Sequence, residues 1–300
     1  MRKQVLATLA AVLAVAAFAP LAFSAGWGAP TNLASLNTPA LEGCPFESPD
    51  GLSLYFASDR PGGYGGLDIW LAQRSSASAP WGPAINAGSP VNSSADDFCP
   101  TPTDNGYLYF VSARAGGCGG ADIYRARMAG TGAWASYETL GCQVNSAAAE
   151  FSPSLVREGG DTILYFSSGR AGGFAPEEGG AAPDQDVYRA KMLSDGSFAA
   201  PALVPGVNSA ADDARPNVRL DGLELVFDST RAGGQGASDI WISSRSSATG
   251  DWSAPVNPGA PINSPSGESR PSLSRDGSRL YFGSARPGGQ GNSDIMVSQR

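Results

Sequence analysis

Apolar and polar positions along this chain alternate in short runs that end at turn residues. In one stretch the β-prone runs are Cys99–Thr103, Tyr107–Ala113, Asp122–Arg127 and Tyr137–Gly141, separated by the turn sequences DNG, AGGCGG and AGTG. Alternation over about four to eight residues between Gly- and Asn-rich turns is typical of β-strands, and no segment sustains a helical period. The pattern predicts an all-β chain with four strands in each unit.

The strand pattern recurs because the chain contains five copies of one unit. Each copy has a strand of the type LYFxSxR followed by Gly-Gly, and then a DIW-type motif. An aromatic residue, an Asn, an acid and a Pro accompany the copies in fixed order. The five arginines are spaced 54, 56, 61 and 55 residues apart. A repeat of this length is typical of solenoids and propellers.

Four sets of residues mark the repeat and are the first candidates for structural or ligand-binding roles. The arginines are Arg60, Arg114, Arg170, Arg231 and Arg286. The acids are Glu42, Asp97, Glu150, Asp213 and Glu268. The asparagines are Asn37, Asn92, Asn145, Asn208 and Asn263. The aspartates of the DIW-type motif are Asp68, Asp122, Asp186, Asp239 and Asp294.

The repeat is offset relative to the ends of the chain. A lone copy of the aromatic–Asn–acid–Pro motif stands at 27–45, and the last repeat stops without one. A ring uses this complementarity, because an N-terminal strand can complete the last blade and remove an open sheet edge. We predict a single domain over 25–300, a five-bladed β-propeller of four-stranded antiparallel blades; a six-bladed ring is the alternative. The predicted repeats are about 44–97, 98–150, 151–213, 214–269, and 270–300 completed by 27–43.

One segment of the repeat carries a family resemblance. Ser272, Asp276 and Gly277, followed by LYFGSARPGG and a DIM sequence, resemble the WD40-like β-propeller repeat of TolB-like exported bacterial proteins. The resemblance covers 27–300. It implies a propeller in an exported protein that binds a partner, although a shared fold alone does not define a function.

The first residues predict export. Arg2 and Lys3 precede the apolar run Val5–Ala19, and Ala22 and Ser24 supply the small residues of a cleavage site. This arrangement is typical of a signal peptide over 1–24, which places the mature chain in the periplasm or outside the cell. An uncleaved membrane anchor is the alternative reading of the same run. We expect no membrane span in the mature chain.

Composition excludes several classes of chemistry. The chain has no His, so a Ser-His-Asp triad and a His-ligated metal site are excluded. The formal net charge of −8 argues against a nucleic-acid partner, which requires a basic surface.

Alternation of strand direction gathers the unusual polar residues on one face of the predicted ring. The five acids precede the innermost strands, where they either form a carboxylate ring for a cation or sugar, or pair with the five arginines. The asparagines and the DIW-type aspartates are predicted to hold loops through backbone hydrogen bonds. In the third repeat Asp186 comes thirteen positions after Gly173, whereas the offset is five in the other repeats, and the longer loop adds Glu177, Glu178 and Asp184 to this face.

Four cysteines in an exported chain can form disulfides. Cys44 and Cys99 hold the same repeat position, and Cys118 and Cys142 belong to one repeat. We predict the pairs Cys118–Cys142 and Cys44–Cys99 among three connectivities.

The sequence therefore favours a non-catalytic binding module that recognises a protein partner or a cell-envelope polysaccharide on the loop-rich face. One alternative is a carbohydrate-active enzyme, a glycoside hydrolase or lyase, that uses carboxylates at the channel mouth. Another is a structural module stabilised by calcium. We expect no other cofactor.

Overall fold

The computed structural model describes residues 26–129, 133–174 and 184–300, and the predicted signal peptide lies outside these ranges. Every regular element in them is a β-strand, and none of their segments is a helix that could cross a bilayer. The strands form five antiparallel sheets that follow one another along the chain. The fold is the predicted five-bladed β-propeller.

The strands follow the repeat in chain order. They begin with β1 (Thr31–Asn32), β2 (Glu42–Glu47), β3 (Ser53–Ser58), β4 (Asp68–Gln73), β5 (Ile85–Asn86), β6 (Asp97–Pro102), β7 (Tyr107–Ser112), β8 (Asp122–Met128) and β9 (Trp134–Thr139). They continue with β10 (Glu150–Glu158), β11 (Asp161–Ser168), β12 (Asp186–Lys191), β13 (Ala202–Leu203), β14 (Asp213–Val218), β15 (Glu224–Ser229), β16 (Asp239–Ser244), β17 (Glu268–Leu273), β18 (Arg279–Ser284) and β19 (Asp294–Gln299).

Each blade begins with the strand nearest the propeller axis. The blades are β2 to β5, β6 to β9, β10 to β13, β14 to β16, and β17 to β19 completed by β1. We call the face at which the inner strands β2, β6, β10, β14 and β17 begin the upper face, and the other the lower face.

The outermost strands differ most from the expected pattern. In the fourth blade the outer strand is reduced to one bridge between Ile242 and Val256, because Pro255 and Pro258 flank Val256 and cannot donate backbone hydrogen bonds. In the second blade the outer strand β9 starts at Trp134, three residues before the predicted run. Outer strands carry the fewest sheet constraints, and their limits vary accordingly.

The ring closes through the N-terminal strand. β1 pairs antiparallel with β19, with Thr31 opposite Val297 and Asn32 opposite Met296. Asn37 adds two hydrogen bonds to the backbone of Ile295, donated to its carbonyl at 3.0 Å and accepted from its N–H at 2.8 Å. The two ends of the described chain therefore share one sheet, as predicted.

The core lies between neighbouring blades. The phenylalanine of the LYF-type sequence is fully buried in each blade, and it packs against residues of the preceding blade. Phe110 lies in a cluster with Tyr55 and Ile69 of the first blade. Phe56 packs with Tyr281 of the fifth blade, so the closing interface has the same apolar core as the others. The five residues are Phe56, Phe110, Phe166, Phe227 and Phe282.

Asn37 tests the closure, because Asn263 makes the same pair of hydrogen bonds to Ile240 inside the continuous chain. We expect Asn37→Ala and Asn263→Ala to lower the free energy of unfolding by similar amounts, about 1–3 kcal/mol each, through loss of buried hydrogen bonds. Urea unfolding at equilibrium measures both. An Asn37→Ala variant as stable as the parent would contradict closure.

Candidate functional site

The acid that opens each inner strand is buried in an ion pair. In the second blade, Asp97 accepts hydrogen bonds from the backbone N–H and hydroxyl of Ser93 at 2.6 and 2.8 Å. Arg114 pairs with Asp97 at 2.7 Å and donates to the carbonyl of Val91 at 2.5 Å. One arginine therefore joins the inner strand to the loop that enters its blade.

The same staple occurs in all five blades, and each carboxylate is 0% exposed. The other pairs are Glu42 with Arg60, Glu150 with Arg170, Asp213 with Arg231, and Glu268 with Arg286. Each arginine also lies over the blade's buried phenylalanine; Arg114 is 5.3 Å from the ring centroid of Phe110. These acids do not form an exposed ring, which corresponds to the ion-pair reading of the sequence rather than the ligand-binding one.

The asparagines and the DIW-type aspartates hold backbone in each blade. Asn92 accepts from the N–H of Ile69 and donates to its carbonyl, each at 2.9 Å. Asp68 accepts hydrogen bonds from the N–H groups of Tyr64 and Gly65 and from the side chain of Asn86 at 2.9 Å. The equivalent asparagines bond in the same way to Ile123, Val187, Ile240 and Ile295.

The third blade breaks this pattern at Asp186. Leu203 replaces the outer-strand asparagine that donates to the aspartate in the first blade. Asp186 Oδ2 accepts from the N–H of Phe174 at 2.7 Å, whereas its buried Oδ1 has no hydrogen-bond partner among the residues that the structure describes, as is also true of Oδ1 of Asp122 in the second blade. Burial raises the pKa of Asp186 to about 7, and the charges of Asp184 and Asp213 add to the increase.

Asp184 and Asp212 complete an acidic group on the upper face between the third and fourth blades. Burial raises the pKa of Asp184, and repulsion from Asp212 and Asp213 raises it further. Asp212 is exposed and accepts a hydrogen bond from the N–H of Gln185 at 2.8 Å. We call Asp184, Asp186 and Asp212 the acidic group. Glu177 and Glu178 of the predicted insertion lie outside the described residues.

A second irregular group lies at the propeller axis. The third residue of every inner strand has a positive φ, between 48° and 55°, and precedes a proline at a bulge in the strand. A non-glycine residue in this region costs about 1–3 kcal/mol, so its recurrence marks a constrained position. We call these five residues the axial ring. They are Cys44, Cys99, Ser152, Arg215 and Arg270.

The axial ring is apolar on one side and charged on the other. Cys44 is disulfide-bonded to Cys99, with 4.8 Å between the Cα atoms. On the charged side, Asp228 accepts from the Arg270 N–H at 2.8 Å and pairs with Arg215 at 2.6 Å. Asp228 is buried, and the equivalent residues of the other blades are Ala57, Val111, Ser167 and Gly283.

The remaining predicted residues have plain structural roles. Cys118 is bonded to Cys142, which ties a loop of the upper face to the segment after β9. Within the described ranges, no group of three or more Cys, Asp or Glu side chains is arranged to hold a metal ion.

The lower mouth of the channel is a different environment. It forms a pocket of about 140 Å³, lined largely by apolar side chains such as Phe46, Leu155 and Leu273. Of its described lining residues, Asp104 alone carries a carboxylate.

Sequence reasoning missed Arg215, Arg270 and Asp228. A signal was available, since the position before the recurring proline holds two cysteines, a serine and two arginines. A position whose residue type varies within an otherwise regular repeat is not needed by the scaffold that the repeats share. The predicted importance of Asp184 rested on the length of its loop, but its neighbour Asp212 was not identified.

Comparisons with known proteins follow the fold. No protein-family model and no curated protein matches this chain. The chain is similar to the α-L-arabinofuranosidase PaAbf62A from Podospora anserina, with a TM-score of 0.57 and 10% identity over 91% of this chain and 96% of that one. It is similar to an α-L-arabinofuranosidase from Lactobacillus brevis, with a TM-score of 0.55 and 14% identity over 90% of this chain and 94% of that one. It is also similar to the endo-arabinase from Bacteroides thetaiotaomicron VPI-5482, with a TM-score of 0.56 and 16% identity over 91% of this chain and 97% of that one.

These comparisons correct the main functional prediction. The sequence favoured a non-catalytic binding module, but the similar structures are named as enzymes, two arabinofuranosidases and one endo-arabinase. The prediction was wrong because the regularity of the repeat was read as the absence of an active site. At these identities the likeness shows the fold of this chain, and its activity is a matter for proposal.

The raised pKa of Asp186 predicts an unusual dependence of stability on pH. The folded chain keeps this proton up to about pH 7, whereas the unfolded chain releases it near pH 4, about the ordinary value. The contribution of Asp186 to stability is therefore full below pH 4 and is lost as the pH rises to 7. We expect Asp186→Asn to remove this loss, as measured by urea unfolding between pH 4 and 8.

The control for this experiment is Asp239→Asn. Asp239 holds the same position in the fourth blade, where Asn257 and the N–H of Gln235 donate to it. We expect the pH dependence of this variant to follow the parent. If Asp186→Asn also follows the parent, the carboxyl group of Asp186 does not retain a proton at neutral pH.

Proposed function

We propose that this protein is a glycoside hydrolase that acts on the upper face, where the third and fourth blades meet. The proposal rests on one observation: the acidic group gathers three carboxylates, whereas the equivalent positions hold two in the first blade, Asp68 and Asp96, and one in each of the others. Hydrolysis of a glycosidic bond uses a proton donor and a base whose pKa values differ. The five-bladed fold shared with arabinofuranosidases and an endo-arabinase supports the proposal.

The environments of the carboxylates suggest their roles. Asp184 is partly exposed and its pKa is raised, which suits it to donate a proton to the leaving oxygen. Asp212 is exposed and takes the role of the base that activates water. Asp186 is buried and has a pKa of about 7, so at neutral pH it is about half protonated and adds less negative charge than an ordinary carboxylate would.

The first blade shows why this arrangement is specific to the third. Gly66 is the equivalent of Asp184, and Asp96 is the equivalent of Asp212. A Cβ atom at Gly66 would lie 2.3 Å from Oδ1 of Asp96, so a side chain there would require the Asp96 carboxylate to move. In the third blade the N–H of Gln185, the residue after Asp184, donates to the carboxylate of Asp212 at 2.8 Å, so the two aspartates belong to neighbouring segments of the upper face.

We also propose that the chain is exported and that its repeats belong to the WD40-like family of TolB-like proteins. The N-terminal pattern over 1–24 and the two disulfides support export to an oxidising compartment. An exported hydrolase would encounter cell-envelope or extracellular polysaccharides, and we propose these as the class of substrate. The repeat assignment rests on the motif around Ser272 and Asp276, and the domain is proposed to span 25–300.

The proposed activity is tested by incubating the mature chain with a panel of polysaccharides that includes arabinan, arabinoxylan and pectin. We expect new reducing ends from at least one substrate. Asp184→Asn and Asp212→Asn should each lower the rate by about 100-fold or more, the usual contribution of a general acid or base. The rate is followed by reducing-end release, and the folded state by circular dichroism.

Asp96→Asn is the matched control. Asp96 accepts a hydrogen bond from the N–H of Leu67 at 2.8 Å, as Asp212 does from Gln185, but it has no carboxylate neighbour at Gly66. We expect this variant to retain the parent rate. Turnover that survives both Asp184→Asn and Asp212→Asn, or is absent from the whole panel, would overturn the proposal.

A further inference from the structure

The axial ring contains an arginine that its surroundings do not neutralise. Arg270 has no ion-pair partner within 4.0 Å and its guanidinium makes no hydrogen bond to any residue that the structure describes. Its backbone N–H, not its side chain, contacts Asp228. Burial, together with the nearby charge of Arg215, lowers the pKa of Arg270 to about 10. The side chain is therefore only partly exposed in the channel and has no acceptor among the described residues.

The single carboxylate nearby is already occupied. Asp228 accepts from Arg215, from the Arg270 N–H and from the hydroxyl of Ser238 at 3.3 Å. Two guanidinium groups therefore face one carboxylate, which leaves one positive charge at this level of the channel. An anionic group from outside the protein would balance that charge.

Gly43 fixes the position of the guanidinium. A Cβ atom on this residue would lie 3.2 Å from Nη1 and 3.3 Å from Cδ of Arg270. The other blades carry Phe98, Phe151, Ala214 or Ser269 at the position of Gly43. The arginine thus lies across the backbone of the neighbouring inner strand, in a space that a side chain would fill.

The opposite side of the channel offers an aromatic surface. Phe98 and Phe151 stand one position nearer the upper face than the axial ring, and both remain partly exposed. Their ring centroids are 5.9 Å apart. Beside the axial ring the channel narrows to a cavity of about 20 Å³, which admits a small functional group but not a sugar ring. A sugar would have to stay at the mouth.

We propose that the axial ring binds the carboxylate of an acidic sugar unit, a uronate, through Arg270 with Arg215 beside it. A guanidinium pairs with a carboxylate through two parallel hydrogen bonds, and aromatic rings pack against the apolar face of a sugar. The acidic group lies close by along the chain, because Asp212 precedes Arg215 by three residues. This inference rests on the proposed function, since it names the class of glycan that the upper face receives.

The binding experiment uses calorimetry with the mature chain and a galacturonate trisaccharide. The matched ligand is its methyl ester, which keeps the shape of the sugar and removes the charge. We expect the acid to bind at least about tenfold more tightly than the ester. Arg270→Gln should remove that difference, because the charged hydrogen bonds are lost. Equal binding of acid and ester by the parent chain would overturn the inference.

Gly43→Ala provides a second variant that keeps both charges. Its methyl group displaces the guanidinium of Arg270, so the preference for the acid should fall although the net charge of the protein is unchanged. Arg157→Gln, an exposed arginine at the lower mouth, is the charge-matched control and should bind as the parent does. If Arg157→Gln loses the preference for the acid over the ester as fully as Arg270→Gln does, the preference reflects general electrostatic attraction. That result would overturn the proposed site.

A sulfated trisaccharide separates a carboxylate site from a general anion site. Binding of the sulfated sugar as tight as that of the uronate would overturn the assignment of a uronate. The experiment is also independent of turnover, because calorimetry measures binding and not product formation. Uronate binding without hydrolysis refutes the proposed function alone, and hydrolysis without a preference for uronates refutes this inference alone.

Discussion

The buried pair between an inner-strand acid and its arginine is the interaction on which the rest of the propeller depends. A carboxylate with no exposed surface has lost its hydration, and the loss is offset only where charge and hydrogen bonds replace the water. Asp97 has an arginine and two donors from Ser93, and the other four acids have equivalent sets. Because the arginine also bonds the carbonyl of the entering loop, each inner strand is fixed relative to its neighbour blade.

This symmetric scaffold leaves the channel free to vary. Packing between blades is supplied by the phenylalanines and the staples, neither of which needs the residues that face the axis. The axial ring can therefore hold a disulfide on one side and two arginines on the other without a change of fold. The positive φ before each proline is common to all five strands, so the backbone geometry of the ring does not depend on which side chain it carries.

The fold was predictable from sequence for a clear physical reason. Strand alternation, turn residues and the repeat are local or periodic, and the displaced motif at Trp27 predicts that the chain closes on itself. The limits of the outer strands were less predictable, because two-residue strands such as β5 leave little alternation to read. The prolines around Val256 show how a local backbone property shortens such a strand.

The site was harder to predict because it depends on differences between repeats. Asp228 is one polar residue in an apolar strand, and its partners Arg215 and Arg270 come from two different inner strands. Leu203 affects Asp186 because its side chain has no hydrogen-bond donor. This effect can be identified only from the cross-strand register, which places Leu203 opposite Tyr188. Such couplings appear only when the blades are superimposed in space. The sequence identified the third repeat as irregular through the length of its loop, but it did not identify Asp212, which completes the acidic group.

Symmetry itself limits where catalysis can occur in this protein. Five identical carboxylate environments have similar proton affinities, and hydrolysis needs two groups whose affinities differ. For the proposed hydrolysis, the third blade creates that difference by losing the asparagine donor and gaining the carboxylate of Asp184. The second blade also lacks the asparagine, with Thr139 in its place, but it carries Gly120 where the third blade has Asp184. The same reasoning applies at the axis, where two arginines facing one carboxylate give the channel a polarity that a regular ring could not have. A functional face of this propeller is therefore expected where the repeat is least regular, and both irregular groups lie on the upper half.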